Sequence, residues 1–375
     1  MSVLGPIGVE RFLREYWQKK PLLIRNATKR FENALSAEEL AGLSLEQSVE
    51  SRIVQWDPIS DQWDLETGPF TEQDFSRLPQ KNWTLLVQSV DQWVPEVAEI
   101  LEQFYFLPRW RLDDVMISYA APGGGVGPHF DYYDVFLLQV SGQRRWRLGQ
   151  VCDESSALRV DQPLKLLDSF EQSAEHLLRP GDMLYVPAGV AHWGIAEDDG
   201  CVTWSIGFRA PSASELLVSA AERLAADLPE SLRYQDPEQL RGGSLIDRSV
   251  DQGLEKLFEN ISKEDLIFAA KQAFISQVTE PRYLDSVEML ETEELDSVIE
   301  DVELGCALIE RSSHSRFAYR VIAPDVAELF VDGICYPVKS YVAAMICDGE
   351  IEMDSGSEAN GLIRELLKSG ALIVI

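Results

Sequence analysis

The feature that most constrains the fold is a run of short β-rich segments between Asp114 and Arg209, with no helical periodicity between them. Turns such as Pro122-Gly123-Gly124-Gly125 and Pro180-Gly181-Asp182 separate the segments. Many short strands at this spacing favour an antiparallel barrel or a double-sheet jelly roll, whose mouth can hold one ligand. The predicted strands are residues 114–120, 129–140 and 143–149, followed by shorter strand pieces around 158–167, 175–186, 192–196 and 201–209.

A His-x-Asp pair, His129 and Asp131, opens the second predicted strand. In a strand, residues i and i+2 lie on one face, so the imidazole and the carboxylate are directed to the same point. Such a pair offers two metal ligands, but it occurs by chance in many proteins. The Gly-rich turn before it lacks the Lys-Ser/Thr of a phosphate loop, and we predict a flexible rim at the barrel mouth.

His192 is the candidate for a third ligand. It follows PGDMLYVPAGVA, in which two turns flank a short strand and place the histidine at the start of the next one. Two imidazoles and one carboxylate are the ligand set of non-haem Fe(II) oxygenases, so we predict His129, Asp131 and His192 as catalytic metal ligands. Alternatively, His192 is a buried structural histidine and Asp131 a turn residue. His176 and His314 have no partner at ligand spacing.

The segment GGGVGPHFDYYDVFLLQVSGQRRWRLG, together with SIGFRAP, resembles the JmjC-type cupin oxygenases and, more closely, the bacterial ribosomal oxygenases. The resemblance implies an α+β chain. Its parts would be a double-stranded β-helix (cupin or jelly-roll) catalytic domain at residues 1–210, a helical dimerisation region at 211–280 and a winged-helix-like domain at 281–375. It also implies Fe(II) as cofactor and 2-oxoglutarate as cosubstrate. The implied reaction is hydroxylation of an arginine side chain of a large-subunit ribosomal protein.

The distal carboxylate of 2-oxoglutarate requires a cation, and the third predicted strand offers three arginines. Arg144 shares a face with the apolar Trp146 and Leu148, so we expect it to point inward and to bind the carboxylate through its guanidinium fork. A solvated Arg144 is the alternative. Ser118 and Ser205, on strands expected to flank the site, are further candidate donors, although small hydroxyls in strands often have no such role.

An arginine substrate is best held by a carboxylate and an aromatic face. Asp114 and Met116 share one face of the first predicted strand. Tyr133 lies two residues after Asp131, so in a strand it would share the face of the predicted metal ligands. The family's substrate pocket resembles this arrangement, so these three residues are predicted to bind substrate, with Asp113 as the competing carboxylate. The alternatives are a ribosomal-protein histidine hydroxylated by the same chemistry, or a non-catalytic cupin-fold interaction protein or regulator.

The charge of the chain restricts its partners. The formal net charge is −30 and the sequence pI is about 4.4, which disfavours direct binding of nucleic acid and favours a basic ribosomal protein. No apolar run is long enough for a membrane span, and the N-terminus does not have the pattern of a signal peptide, so a cytoplasmic protein is expected. The five cysteines form no C-x-x-C pair and are expected to be reduced.

Helical periodicity dominates the remaining sequence. Two apolar helical segments beyond Pro211 favour a homodimer, with packing against the barrel as the alternative. Residues 281–375 carry 19 Asp and Glu against 7 Lys and Arg, a net charge of −12, which argues against DNA binding by a winged helix. Helices are predicted over residues 9–18, after Ser36, and over 94–106, 212–228, 250–278, 298–311, 316–330, 338–347 and 359–369; residues 229–248 form a looser segment.

Overall fold

The computed structural model describes residues 3–28, 30–31, 34–236, 248–259, 261–283, 292–304, 306–353 and 359–375. The chain forms two compact units, Met1–Ala210 and Pro211–Ile375. Most of the looser segment predicted before residue 248 lies outside the described residues. In the part of the chain that is described, no helix combines the length and hydropathy that a membrane crossing requires.

Two antiparallel sheets form the first unit. Their strands are β1 (Leu22–Ile24), β2 (Ser51–Asp57), β3 (Gln62–Thr67), β4 (Trp83–Val87), β5 (Leu112–Ala120), β6 (Asp134–Ser141), β7 (Arg144–Val151), β8 (Ala174–Leu178), β9 (Met183–Val186), β10 (Val190–Ala196) and β11 (Cys201–Phe208). Among the described residues, the larger sheet has the order β1-β9-β6-β11-β5-β4-β2-β3 and the smaller one has the order β10-β7-β8. The predicted antiparallel double-sheet architecture is therefore observed.

Short helices accompany the larger sheet. They are α1 (Val9–Glu15), α2 (Ala37–Leu43), α3 (Glu72–Ser76) and α4 (Pro95–Ala98). The helix predicted after Ser36 is α2, and it begins with a capping box: the Ser36 hydroxyl accepts from the Glu39 N–H and the Glu39 carboxylate accepts from the Ser36 N–H. The prediction of one helix over residues 94–106 is only partly correct, because the chain tightens into 3-10 turns after Ala98.

The larger sheet is covered on both faces, which explains why its central strands are almost entirely buried. On β11, Trp204 and Ile206 belong to the core that also contains helix residues such as Phe12. The alternating residues Thr203 and Ser205 therefore face the smaller sheet. A second core lies between the two sheets and consists of Val135, Leu137, Trp146, Leu148, Leu178, Leu184, Val186 and Val190. The predicted site residues lie beside this second core.

Two strand predictions were too long. β6 begins at Asp134, so the loop before it carries His129 and Asp131; in that loop only His129 forms a bridge, with His192. The segment predicted as a strand over residues 158–167 contains one isolated bridge, between Leu158 and Leu167. In both segments the apolar pattern favours a strand, but there is no continuous neighbouring strand with which to pair.

The Gly-rich turn is packed rather than being the flexible rim that the sequence suggested. The N–H of Gly123 donates to the carbonyl of Ala196 at 2.8 Å, and the N–H of Ala196 donates to the carbonyl of Gly124 at 2.9 Å. A Cβ on Gly124 would lie 2.1 Å from the Trp83 carbonyl oxygen, and one on Gly125 would lie 2.2 Å from that of Gly194. Glycine is required here because main chain packs against main chain.

The second unit contains helices and two small sheets. The helices are α5 (Ala213–Asp227), α6 (Arg248–Phe258), α7 (Lys263–Thr279), α8 (Thr292–Glu303), α9 (Ser340–Asp348) and α10 (Ala359–Lys368). The strands are β12 (Ile309–Arg311), β13 (Phe317–Ala323), β14 (Val326–Val331), β15 (Ile334–Val338) and β16 (Leu372–Val374). Within the described residues, β13-β14-β15 form one sheet and β12-β16 the other.

Three helix predictions in this unit need correction. The helix predicted over residues 316–330 is wrong: this segment forms β13 and β14, because Pro324 interrupts it and aromatic and β-branched residues alternate before it. The helix predicted over 298–311 starts earlier and ends at Glu303 as α8, and its last residues form β12. The single helix predicted over 250–278 is two helices, since Ser262 caps the start of α7.

Candidate active site

A pair of backbone hydrogen bonds joins the two histidines that the sequence selected. The N–H of His129 donates to the carbonyl of His192 at 3.1 Å, and the N–H of His192 donates to the carbonyl of His129 at 2.8 Å. The neighbouring Gly189 N–H donates to the Asp131 carbonyl at 2.7 Å. The main chain therefore fixes the loop carrying His129 and Asp131 against β10, and the imidazole rings lie with centroids 4.3 Å apart.

The second nitrogen of each imidazole orients its ring. Nδ1 of His129 lies 3.0 Å from the Gly127 carbonyl oxygen, and Nδ1 of His192 lies 3.0 Å from that of Val190. A carbonyl oxygen only accepts, so both Nδ1 atoms carry the proton and both Nε2 atoms have a lone pair available. This is the arrangement in which a ligating histidine donates its other N–H to the backbone.

The three predicted ligands converge. Asp131 Oδ2 lies 3.6 Å from Nε2 of His192 and 3.9 Å from Nε2 of His129, and the possible ligand atoms all lie within 4.8 Å of one another. Burial, followed by the proximity of His129, lowers the pKa of His192 to about 4, although Asp131 acts in the opposite direction. His192 is therefore neutral at pH 7, as metal ligation requires. The donor set fits a metal that uses two imidazoles and one carboxylate.

Arg144 has the inward orientation that the sequence predicted. It is 5% exposed, its guanidinium carbon lies 5.8 Å from the centroid of the Trp146 ring, and Trp146 in turn lies 5.8 Å from the His192 ring. Its Nη2 is buried and has no hydrogen-bond partner among the described residues. A buried guanidinium nitrogen without a partner is unfavourable unless an anion satisfies it. The residue therefore fits the carboxylate of 2-oxoglutarate.

Comparison with known proteins assigns the family. Residues 99–216, which include β5 to β11, match the model of the JmjC domain. The chain is 38% identical to the "Probable ribosomal oxygenase" of Haemophilus influenzae over 309 residues, covering 79% of this chain and 75% of that protein. It is 36% identical over 275 residues to the "Ribosomal protein uL16 3-hydroxylase" of Escherichia coli, with coverages of 71% and 70%. The chain belongs to the ribosomal oxygenases.

A solved structure supports the assignment along the whole chain. The E. coli ribosomal oxygenase YcfD, in complex with cobalt and 2-oxoglutarate, superposes with a TM-score of 0.77 at 29% identity over 98% of both chains. This confirms the predicted family and the JmjC cupin-type fold. It also confirms the predicted enzyme class, a 2-oxoglutarate-dependent oxygenase. The predicted need for a metal and 2-oxoglutarate is confirmed as well, and the His-Asp-His group and Arg144 fit both.

The two serines predicted to assist Arg144 lie on the face of the larger sheet that looks toward the smaller one. Ser118 on β5 is buried and donates to the Thr203 carbonyl at 3.4 Å, while Ser205 on β11 is half-buried and opposite Met116. The Ser118 hydroxyl is thus already engaged with the backbone. Both residues therefore lie on the face of the larger sheet that carries Thr203, and their contact with 2-oxoglutarate stays a prediction.

Sequence reasoning missed a buried polar group beside Arg144. Gln139, Thr203 and Cys201 are each at most 1% exposed. The Thr203 hydroxyl donates to Gln139 Oε1 at 2.9 Å, and Cys201 Sγ lies 3.4 Å from both Arg144 Nε and Gln139 Nε2. A signal was available, since Cys201 and Thr203 have the same strand parity as Ser205.

Asp114, the first of the predicted substrate residues, is buried and firmly held. Its Oδ2 accepts from Gln88 Nε2 at 2.6 Å, from the Ser89 hydroxyl at 2.8 Å and from the Ser89 N–H at 3.1 Å. Three donors therefore fix the orientation of this carboxylate. Met116 shares its strand face and packs against the cluster around Trp63. The competing candidate, Asp113, is paired with Arg209 at 2.9 Å.

Tyr133 connects the predicted substrate residues to the metal ligands. The residue is 44% exposed, but burial of the hydroxyl raises the pKa of Tyr133, and the negative charges of Asp131 and Asp114 raise it further. The hydroxyl is hydrogen-bonded to Asp131. It therefore stays protonated and orients Asp131, a predicted metal ligand. Both Asp131 and Asp114 influence the Tyr133 hydroxyl electrostatically, and a single site formed by the substrate residues and the triad stays a prediction.

Proposed function

We propose that this chain is an Fe(II)- and 2-oxoglutarate-dependent oxygenase that hydroxylates an arginine side chain of a large-subunit ribosomal protein. The observation that carries the proposal is the combination of the His129, Asp131 and His192 group with negative charge on its substrate side. The similarity to a uL16 3-hydroxylase supports a ribosomal-protein substrate. The arginine is supported by the buried carboxylate of Asp114, whose electrostatic influence reaches the Tyr133 hydroxyl.

Each residue has a distinct task in this proposal. His129, Asp131 and His192 hold the metal on one side, and Arg144 binds the distal carboxylate of 2-oxoglutarate. The bound metal and 2-oxoglutarate supply the oxidising chemistry with O2. Tyr133 orients Asp131, while Asp114 and the side chain of Met116 receive the guanidinium and its aliphatic stem. The sheet faces exclude water from the reacting carbon.

Charge steering supports a basic partner. The chain has a net charge of −30, so its potential attracts a free basic protein and repels the phosphates of an assembled ribosome. We propose that the substrate is the ribosomal protein before assembly and that the enzyme does not bind nucleic acid directly. A protein of this kind acts in the cytoplasm.

We propose that the second unit serves dimerisation and protein contact. Helices α5 and α7 carry exposed apolar side chains, including Leu217, Val218, Ile267 and Phe268. Such exposed apolar residues on a helical pair favour pairing with a second copy of the chain. Residues 211–280 would then form the dimerisation region, and 281–375 a winged-helix-like domain whose net charge of −12 suits protein rather than DNA.

Mass spectrometry of ribosomal proteins tests the function directly. We expect one large-subunit protein from cells that contain the enzyme to carry an additional oxygen on an arginine, and the same protein from cells that lack it to be unmodified. A variant with alanine at His129 serves as the control that retains the protein but not the activity. An added oxygen on a histidine would replace the arginine proposal by the alternative substrate.

Substitution of Asp114 distinguishes the two substrate classes. We expect Asp114→Asn to raise KM for an arginine substrate by about a hundredfold, because a guanidinium loses its charged partner, and to change KM for a histidine substrate much less. The measurement is turnover at varied substrate peptide and saturating 2-oxoglutarate. Asp113→Asn is the matched control, since Asp113 pairs with Arg209. An unchanged KM in a variant with the wild-type melting temperature would contradict the arginine slot.

A further inference from the structure

The edges of the Arg144 guanidinium are not equivalent. Its Nε donates to Cys201 Sγ at 3.4 Å, whereas its Nη2 has no partner among the described residues. A guanidinium offers two bidentate edges to a carboxylate: one formed by Nε and one Nη atom, the other formed by both Nη atoms. The contact with Cys201 occupies the first edge. The second edge remains for a carboxylate.

Cys201 is itself held in place. Its sulfur also accepts from Gln139 Nε2, and the Thr203 hydroxyl donates to Gln139 Oε1, which determines how the carboxamide is oriented. Gln139 Nε2 additionally donates to the Ser141 carbonyl at 2.6 Å. All three side chains are buried, and Cys201 packs with Ala120 and Ala196 in a small cluster. The thiol therefore has a fixed position relative to the guanidinium.

We propose that Cys201 is a positioning residue for Arg144, and that it makes the guanidinium bind the distal carboxylate of 2-oxoglutarate through its two Nη atoms. Gln139 and Thr203 assist by fixing the thiol. This inference rests on the proposed role of Arg144. It has a further consequence for specificity: a fixed guanidinium fixes the distance to the metal, so the site selects one dicarboxylate chain length.

The first test is binding of 2-oxoglutarate to Mn²⁺-loaded protein without oxygen, measured by calorimetry. We expect Cys201→Ala to weaken binding about five- to tenfold, since one hydrogen bond to a charged group is lost, and Cys201→Ser to restore most of it because a hydroxyl also accepts from Nε. Cys347→Ala, a buried free cysteine of the other unit, is the matched control and should bind normally.

The second measurement is selectivity for chain length. We expect Cys201→Ala to reduce the preference for 2-oxoglutarate over 2-oxoadipate, which is one carbon longer, because the guanidinium can move. Unchanged affinity and selectivity in Cys201→Ala, or equal losses in the serine and alanine variants, would overturn the positioning role. Arg144→Leu separates the two proposals. If this variant binds 2-oxoglutarate normally, the proposal that Arg144 anchors the cosubstrate is wrong. If Arg144→Leu loses binding but Cys201→Ala does not, only the positioning role of Cys201 is wrong.

Discussion

Alanine at His129 or Asp131 is expected to abolish 2-oxoglutarate-dependent succinate formation, with a loss of more than about a hundredfold. Substitution of a residue that hydrogen-bonds to a metal ligand already lowers metal affinity or activity by about 10–100-fold, and removing a ligand itself has a larger effect. The Nε2 atoms and Asp131 Oδ2 are the atoms that would hold the metal, and they lie within 4.8 Å of one another. Metal content after anaerobic loading should fall together with turnover.

The fold should survive these substitutions, which makes the result interpretable. The bonds that clamp His129 to His192 and Asp131 to Gly189 are between main-chain atoms, so truncating a side chain leaves them intact. An unchanged melting temperature of the metal-free protein checks this. His314→Ala, in the other unit, is the control and should retain both metal and turnover. A His129→Ala enzyme with full turnover would disprove the triad.

Arg144→Leu is expected to raise KM for 2-oxoglutarate by about a hundredfold, the loss of roughly two charge-assisted hydrogen bonds. The physical reason is the buried Nη2, which no described residue satisfies. The measurement is succinate formation at varied 2-oxoglutarate, together with calorimetric binding to Mn²⁺-loaded protein. The melting temperature of the ligand-free variant should not fall much, because leucine removes a buried cation that has incomplete hydrogen bonding.

Arg145→Leu provides the matched control on the same strand. Arg145 points to the other face of β7 and pairs with Glu175 and Glu197 at 2.7 and 2.6 Å. Its removal should leave KM for 2-oxoglutarate within about twofold of the wild-type value, since exposed ion pairs contribute little. If Arg145→Leu and Arg144→Leu behave alike, the parity argument for the anchor is wrong.

Local sequence was sufficient for features that depend on neighbours in the chain. The Ser36 capping box, the inward parity of Arg144 and the turn that delivers His192 all follow from spacings of a few residues. The segment around His129 resembles the JmjC-type oxygenases and so predicted the family, which the comparisons confirm. The substrate residues, the dimer and the winged helix stay predictions.

Errors arose where strand pairing overrode a helical interpretation of the local pattern. Residues 316–330 were predicted as a helix, yet Val321 and Ala327 pair across a turn in adjacent strands. His129 was expected within a strand, but it is held by a single bridge to His192. Propensity is a weak prior that strand pairing overrides.

The sequence by itself was sufficient to predict the chemistry: which side chains would hold a metal and which strand would carry the cosubstrate anchor. Only the tertiary structure decided their arrangement. The clamp between His129 and His192, and the contact of Arg144 with Cys201, join positions distant in the chain. Such contacts depend on strand register and on the packing of two sheets, which no local pattern of residues encodes. The proposal about which edge of the guanidinium binds a carboxylate therefore rests on the tertiary structure.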